Sequence, residues 1–105
     1  MFRNFETYAL VTGAASGMGR VYAERLAAKG YNLVIVDINA KGLDETAAMV
    51  KAEIASAEGI ADELKKTFRV LPVVQDLSAV DAADQIWEKT EAEGCVVEVL
   101  VNNAG

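Results

Sequence analysis

Gly13, Gly17 and Gly19 lie close together between a short apolar run and a stretch with helical spacing of apolar residues. That context, a strand followed by a helix, is what gives such a glycine pattern meaning. Gly13 permits a sharp exit from the strand, Gly17 lets the backbone approach a pyrophosphate, and Gly19 lets the helix lie close to the sheet. Backbone N–H groups at the helix start, together with Ser16 and Met18, would bind a diphosphate. The alternative is a glycine turn that only reverses the chain.

An aspartate closes the most apolar strand pattern in the sequence. Asp37 follows Leu33–Val36 and lies 18 residues after Gly19, near the offset of about 20 residues at which dinucleotide-binding units carry a ribose-binding carboxylate. A carboxylate there accepts hydrogen bonds from the adenosine ribose and repels a 2′-phosphate. The pattern therefore favours NAD over NADP, and Arg20 near the loop keeps NADP open. The alternative for Asp37 is a solvated carboxylate at a strand end.

The elements that must position these residues alternate between strand and helix patterns. Strands are predicted at Tyr8–Thr12, Leu33–Asp37, Arg69–Gln75 and Val96–Val101, and helices at Gly17–Lys29, Ala40–Phe68 and Ser78–Thr90. This order predicts an α/β fold, a Rossmann-type parallel sheet flanked by helices, with four strands in the order 3-2-1-4. Pro72 cannot donate to a sheet ladder, so it places the third strand at an edge, as that order requires.

Two helical stretches carry further expectations. Apolar residues recur with helical spacing over Ala40–Phe68, a stretch longer than one crossover helix needs. Ser56–Gly59 interrupts this pattern, which predicts either one kinked helix or two helices with a break. We interpret it as a crossover helix with extra turns; a partner-binding arm is the alternative. In the next helix, Ser78 is the predicted N-cap, with Asp81 three residues on. Trp87 is predicted to pack against the sheet.

Composition limits the class of protein. The chain has 105 residues, which is one domain at most, and its 52% hydrophobic and 25% charged residues exclude intrinsic disorder. No apolar run reaches the roughly 18 residues of a membrane span, and the start lacks a signal-peptide pattern. A net charge of −6 argues against nucleic-acid binding, and a lone Cys95 without any histidine argues against a metal site or a disulfide. We expect a soluble, cytoplasmic protein.

Four motifs occur in order along the chain, each at the end of a predicted strand. They are Thr12-Gly13-x-x-x-Gly17-x-Gly19, Asp37, Asp76-Leu77 and Asn102-Asn103-Ala104-Gly105. With these motifs the chain resembles the short-chain dehydrogenase/reductase family in its ordinary, non-extended form. The resemblance spans essentially the whole chain, although the segment between the second and third motifs is longer than the family usually has.

The resemblance implies roles for the last two motifs. Asp76 would contact the adenine amino group, and Leu77 would lie beside the adenine ring. Asn103, Ala104 and Gly105 would lie nearest the adenosine ribose and the nicotinamide half, in a segment that also steadies the sheet. Without the family, Asp76 could be only a helix cap and the asparagine pair only a turn.

The resemblance also implies an NAD(P)-dependent oxidoreductase that transfers a hydride between nicotinamide and an alcohol or carbonyl substrate. The family's catalytic tyrosine and lysine, four residues apart, are absent, because Thr12, Leu26 and Ile35 stand four residues after the three tyrosines. We therefore expect residues 1–105 to be the N-terminal, cofactor-binding part of a single Rossmann-type domain. The catalytic part, including the family's serine, is absent, so the chain alone is expected to be inactive.

A different class of function stays open at this point. The chain could be a non-catalytic nucleotide-binding or interaction protein that uses the same half-fold. With either function, the last strand is expected to be open along one edge, so a homo-oligomer through strand exchange or edge pairing is possible. The substrate cannot be inferred, because the resemblance assigns most of the substrate pocket to the other half of the domain.

Overall fold

The computed structural model describes residues 2–103. Their elements are, in order, β1 (Tyr8–Thr12), α1 (Gly17–Ala28), β2 (Asn32–Asp37), α2 (Ala40–Ser56), α3 (Asp62–Lys65), β3 (Val70–Val74), α4 (Ala82–Ala92) and β4 (Val97–Val101). The strands form one parallel sheet in the order β3-β2-β1-β4. The predicted α/β fold and strand order are confirmed.

The two inner strands make the buried centre of the sheet. Every side chain of Leu33–Val36 in β2 is fully buried, because helices cover both faces and a parallel strand then reads as a continuous apolar run. On one face, α1 and α2 pack over Val11 and Ile35 of the sheet, and Leu43 of α2 is buried in this cluster. On the other face, Ile86 of α4 packs with residues of β1, β2 and β3.

The edge strand β3 carries the proline, as expected. Pro72 lies opposite Ile35 in the β2–β3 register, and β3 pairs with no other strand among the described residues. The missing N–H of a proline costs least at an edge, where one side of the strand has no ladder partner.

The long helical stripe forms two helices with a break between them. α2 ends at Ser56, where Ala57 becomes extended, and Gly59 adopts a left-handed conformation with a φ of +85°. The short α3 follows, and Phe68 returns the chain to the core beside Phe5. Of the two expectations for this stretch, the two-helix form is therefore the observed one.

The start of α4 differs from the prediction. Its N-cap position is Asp81 instead of Ser78. The N–H and Oγ of Ser78 both donate to Oδ1 of Asp76, at 2.9 and 2.7 Å. This local turn uses the serine that was expected to cap the helix, and α4 begins at Ala82.

The prediction for Trp87 was wrong. Its side chain is 65% exposed, while its neighbour Ile86 is buried against the sheet. Trp87 instead lines a groove of about 520 Å³ between α4 and the β1–β4 half of the sheet, together with Val97 and Leu100. The indole borders this uncovered part of the sheet and does not pack inside the core.

A short N-terminal arm closes the opposite end of the sheet. The N–H groups of Arg3 and Phe5 donate to the carbonyls of Lys29 and Gly30, each at 2.7 Å. The Arg3 guanidinium also forms an ion pair with Glu98 of β4. The arm thus joins the first turn after α1 to the last described strand. No helix within residues 2–103 has the length and apolar character that crossing a membrane requires.

Candidate functional site

The loop between β1 and α1 is shaped by its glycines. Gly13 and Gly17 have φ values of +64° and +58°, in the left-handed region that favours glycine. A Cβ on Gly19 would come within 2.6 Å of the Gly13 carbonyl carbon, closer than real Cβ atoms approach. The first turn of α1 therefore packs directly on the backbone of the loop.

The start of α1 presents donors that the helix itself does not use. Ser16 is the N-cap residue, in extended conformation, and within the described residues its side chain makes no capping hydrogen bond. A Cβ at Gly17 would meet no atom within 4 Å, and the first turn contains no acidic residue. Backbone N–H groups around Gly17, Met18 and Gly19, at the positive end of the helix dipole, can therefore receive an anion.

Asp37 is held beside this loop by two backbone donors. The N–H of Ala15 donates to its Oδ2 at 3.0 Å, and the N–H of Asn39 donates to its Oδ1 at 3.1 Å. A carboxylate has about four lone-pair positions, so both oxygens can still accept hydrogen bonds from a ligand. The structure thus fixes the carboxylate at the carboxyl end of β2, next to the glycines.

The residues after β3 complete a cavity with the first two motifs. This cavity of about 440 Å³ is lined by Gly13, Asp37, Ile38, Gln75, Asp76, Leu77 and Ser78. Hydrogen bonds from the hydroxyl and the backbone N–H of Ser78 lower the pKa of Asp76 below its ordinary value. Because both bonds go to Oδ1, the second oxygen of this exposed carboxylate is the one available to a ligand.

Thr12 links the segment after β4 to the glycine-rich loop. Its hydroxyl lies 3.2 Å from Oδ1 of Asn102 and accepts a hydrogen bond from the N–H of Asn103 at 2.9 Å. The side-chain amide of Asn103 donates to the carbonyl of Gly13 at 3.4 Å. The asparagine pair therefore holds the ends of β1 and β4 together.

The structure brings most of the predicted site residues together at the carboxyl ends of the strands. The glycine-rich loop, Asp37, Asp76-Leu77 and Asn103 follow four neighbouring strand ends. Ala104 and Gly105, which were also predicted to belong to the site, lie outside the described residues.

Sequence reasoning missed the contribution of α2. Asn39 caps this helix by accepting a hydrogen bond from the N–H of Gly42 at 3.0 Å. A Cβ on Gly42 would lie 2.6 Å from the Cβ of Ala15, so a larger residue would push α2 away from the loop. The sequence does contain a signal for this contact, a glycine in the first turn of a predicted helix. Glycine weakens a helix, so its presence there usually has a packing reason.

Arg20 and Thr46 lie behind the loop, and the role of both in the site was also missed. The guanidinium of Arg20 donates to Thr46 Oγ1 at 2.8 Å, to the carbonyl of Ala15 and to the carbonyl of Gly42 at 3.3 Å. The hydroxyl of Thr46, which is fully buried, donates to the carbonyl of Ala14 at 2.7 Å. Arg20 was the residue for which the sequence analysis left NADP as an alternative cofactor. In the structure its guanidinium is hydrogen-bonded to groups of the protein.

Known proteins share this arrangement over part of their length. Residues 7–105 match the family model described as short chain dehydrogenase. The chain is 39% identical over 100 residues to the probable oxidoreductase EphD of Mycobacterium tuberculosis, covering 95% of this chain and 15% of that protein. It is 36% identical over 104 residues to the D-threitol dehydrogenase of Mycolicibacterium smegmatis, covering 99% of this chain and 35% of that protein.

A solved structure gives the same result. The L-sorbose reductase of Gluconobacter frateurii, determined in complex with NADPH and L-sorbose, superposes with a TM-score of 0.77 at 29% sequence identity. The match covers 94% of this chain and 33% of the reductase chain. This chain thus spans at most about a third of the length of the three proteins named. Since a single family model accounts for all but the first six residues and the fold agrees with it, the chain belongs to the short-chain dehydrogenase family.

Proposed function

We propose that residues 1–105 bind a nicotinamide dinucleotide, with NAD preferred, for an oxidoreductase that exchanges a hydride with an alcohol or carbonyl substrate. One observation carries the proposal. The ends of β1, β2 and β3 bring Gly13 of the glycine-rich loop, Asp37 and Asp76 around a single cavity, at the carboxyl ends of the strands, where open α/β sheets bind nucleotides.

Each part of the dinucleotide has a partner in this proposal. The diphosphate binds to the N–H groups of Ser16, Gly17, Met18 and Gly19, and the adenosine ribose donates to Asp37. Adenine lies beside Leu77 and donates its amino group to Asp76. Asn103 lies on the side of the nicotinamide half.

The preference for NAD rests on charge. The Asp37 carboxylate lies where the 2′-phosphate of NADP would approach, and Arg20 is bonded to loop and helix groups behind the site. Some family members use the phosphorylated cofactor, since the L-sorbose reductase structure contains NADPH. The choice of cofactor therefore needs a direct measurement.

A calorimetric titration of the 105-residue chain with NADH and NADPH tests the site. We expect tighter binding of NADH, and a loss of about tenfold or more in NADH affinity for Asp37→Ala, because hydrogen bonds to charged groups contribute about 1.5–3 kcal/mol. Asp37→Asn keeps one oxygen acceptor but removes the charge, so it should reduce the difference in affinity between NADH and NADPH. Glu88→Ala, which removes an exposed carboxylate of α4, is the matched control and should change neither affinity. Unchanged NADH affinity in Asp37→Ala would place the ribose elsewhere.

We also propose that the cofactor site works together with catalytic residues carried by further sequence, as the N-terminal part of a single domain. The support is that the chain matches 15% of EphD and 35% of the D-threitol dehydrogenase, both named as oxidoreductases or dehydrogenases. The 105 residues contain no tyrosine followed four residues later by a lysine. We therefore expect no reduction of NAD when the pure 105-residue chain is incubated with a panel of alcohols, and measurable NADH formation would contradict this.

A further inference from the structure

The glycine-rich loop is held from behind by a polar network that joins α1 to α2. Arg20 and Thr46, 26 residues apart, are hydrogen-bonded to each other at 2.8 Å. The network ends on two loop carbonyls, because Thr46 donates to Ala14 at 2.7 Å and Arg20 donates to Ala15. Thr46 is fully buried and the Arg20 side chain is 28% exposed, so these bonds lie largely out of solvent.

These two carbonyls determine the direction of two N–H groups. In a planar trans peptide, the C=O of one residue and the N–H of the next point in opposite directions. Holding the Ala15 carbonyl toward Arg20 therefore turns the N–H of Ser16 to the other side of the loop. Likewise, holding the Ala14 carbonyl toward Thr46 turns the N–H of Ala15 away from Thr46, and that N–H donates to Asp37 at 3.0 Å.

We propose that Arg20 and Thr46 are positioning residues of the cofactor site, and that Arg20 does not discriminate between NAD and NADP. Arg20 orients the peptide whose N–H serves the diphosphate, and Thr46 orients the peptide that fixes the ribose-binding carboxylate. This inference rests on the dinucleotide site proposed above.

The chemistry of the guanidinium explains why an arginine suits this position. Arg20 donates to Thr46, to Ala15 and, at 3.3 Å, to Gly42. A planar fork of five N–H donors can serve several acceptors in fixed directions, whereas a lysine ammonium is a single compact point of charge. The bonds use the N–H groups of Nε and Nη2, so this side of the guanidinium is bonded to the protein before a cofactor arrives.

The test measures NADH, NADPH and adenosine binding to the 105-residue chain by nuclear magnetic resonance titration. Arg20→Met should weaken NADH and NADPH by the same factor, about tenfold, which equals about 1.4 kcal/mol, and leave adenosine affinity unchanged. Arg20→Lys should give a smaller loss of the same pattern. Arg25→Met, at an exposed arginine on the same helix, is the matched control and should bind all three ligands like the wild type.

We predict a different pattern for Thr46, because it orients the peptide that holds the proposed ribose-binding carboxylate. Thr46→Val should weaken adenosine as well as NADH, and Thr46→Ser, which keeps the hydroxyl, should restore both. Circular dichroism shows whether each variant is folded. For Arg20→Met the deciding quantity is the ratio of dinucleotide to adenosine affinity, since a general loss of stability would lower the affinity for all ligands alike. For Thr46 the deciding result is whether serine restores binding in variants that are equally well folded.

Three results would overturn the inference in distinguishable ways. A selective loss of NADPH in Arg20→Met would show that the guanidinium contacts the 2′-phosphate. Wild-type affinities in folded Arg20→Met and Thr46→Val would show that the loop needs no support from behind. Absence of NADH binding in the wild type would instead overturn the proposed function itself, and this inference with it.

Discussion

At Gly17 the backbone is left-handed, and a side chain there would extend into open space beside the start of α1. Gly59, between α2 and α3, has the same two properties. Its φ is +85°, and a Cβ added there would meet no atom within 4 Å. The two positions therefore impose the same backbone demand in different places, one at the proposed diphosphate site and one far from it.

Replacing each of these glycines by alanine separates conformation from binding. Gly17→Ala and Gly59→Ala should each lower the free energy of unfolding by about 1–2 kcal/mol, because an L-residue is strained in the left-handed region. Only Gly17→Ala should weaken NADH binding, since its methyl group would occupy the space of the diphosphate. Urea unfolding and calorimetric titration give the two quantities. Equal NADH affinity in both variants would show that the diphosphate does not approach Gly17.

Some of the site could be predicted at the level of single residues. Gly13 and Asp37 follow from local rules, because a left-handed turn needs glycine and the offset along the chain fixes which strand end carries the carboxylate. Arg20 and Thr46 could not be assigned in this way. Their hydrogen bond depends on how α1 packs against α2, which no periodicity or spacing in the sequence specifies.

At the scale of elements, the connection from β3 to α4 shows where local patterns become ambiguous. A serine followed three residues later by an acid predicts a helix start, yet here Ser78 donates backward to Asp76 and the helix begins at Ala82. Short polar side chains bond to nearby backbone groups in turns as readily as in caps. The strands were easier to predict, because four buried aliphatic residues in β2 fit few other structures.

The turn at Asp76 leads to a pH prediction. Hydrogen bonds from Ser78 favour the ionised carboxylate and lower its pKa. The stabilisation of the turn is therefore present above the pKa of the unfolded chain and is lost as the pH falls through the lower pKa of the folded state. Ser78→Ala should raise the titration midpoint of the Asp76 carboxyl, followed by carbon-detected magnetic resonance, while the distant Ser56→Ala should not. An identical midpoint in Ser78→Ala would contradict the assignment of the shift.

For the whole molecule, the sheet is covered unevenly. Trp87 and Leu100 are 65% and 66% exposed beside a groove over the β1–β4 half, and β4 is an edge strand among the described residues. An apolar edge of this kind is a site for pairing with another chain. The opposite edge is better protected, because β3 contains Pro72.

The two edges should therefore respond differently to charge. We expect the 105-residue chain to self-associate at high concentration, and Leu100→Lys to reduce its mean mass in light scattering. Val74→Lys, which alters a half-exposed valine of β3, is the matched control and should leave the mass unchanged. A monomer at all concentrations in the wild type would show that the uncovered face is not an association surface.

The N-terminal arm has a consequence for how the protein is made. Its residues leave the ribosome before those of the sheet, but Arg3 pairs with Glu98, 95 residues later, and Phe5 packs on Phe68. β1 likewise lies between β2 and β4, both of which are translated after it. Contacts so distant along the chain slow folding, because a long loop must close before they form. The arm is synthesised before the sheet, yet it is therefore among the last parts of residues 2–103 to be fixed in place.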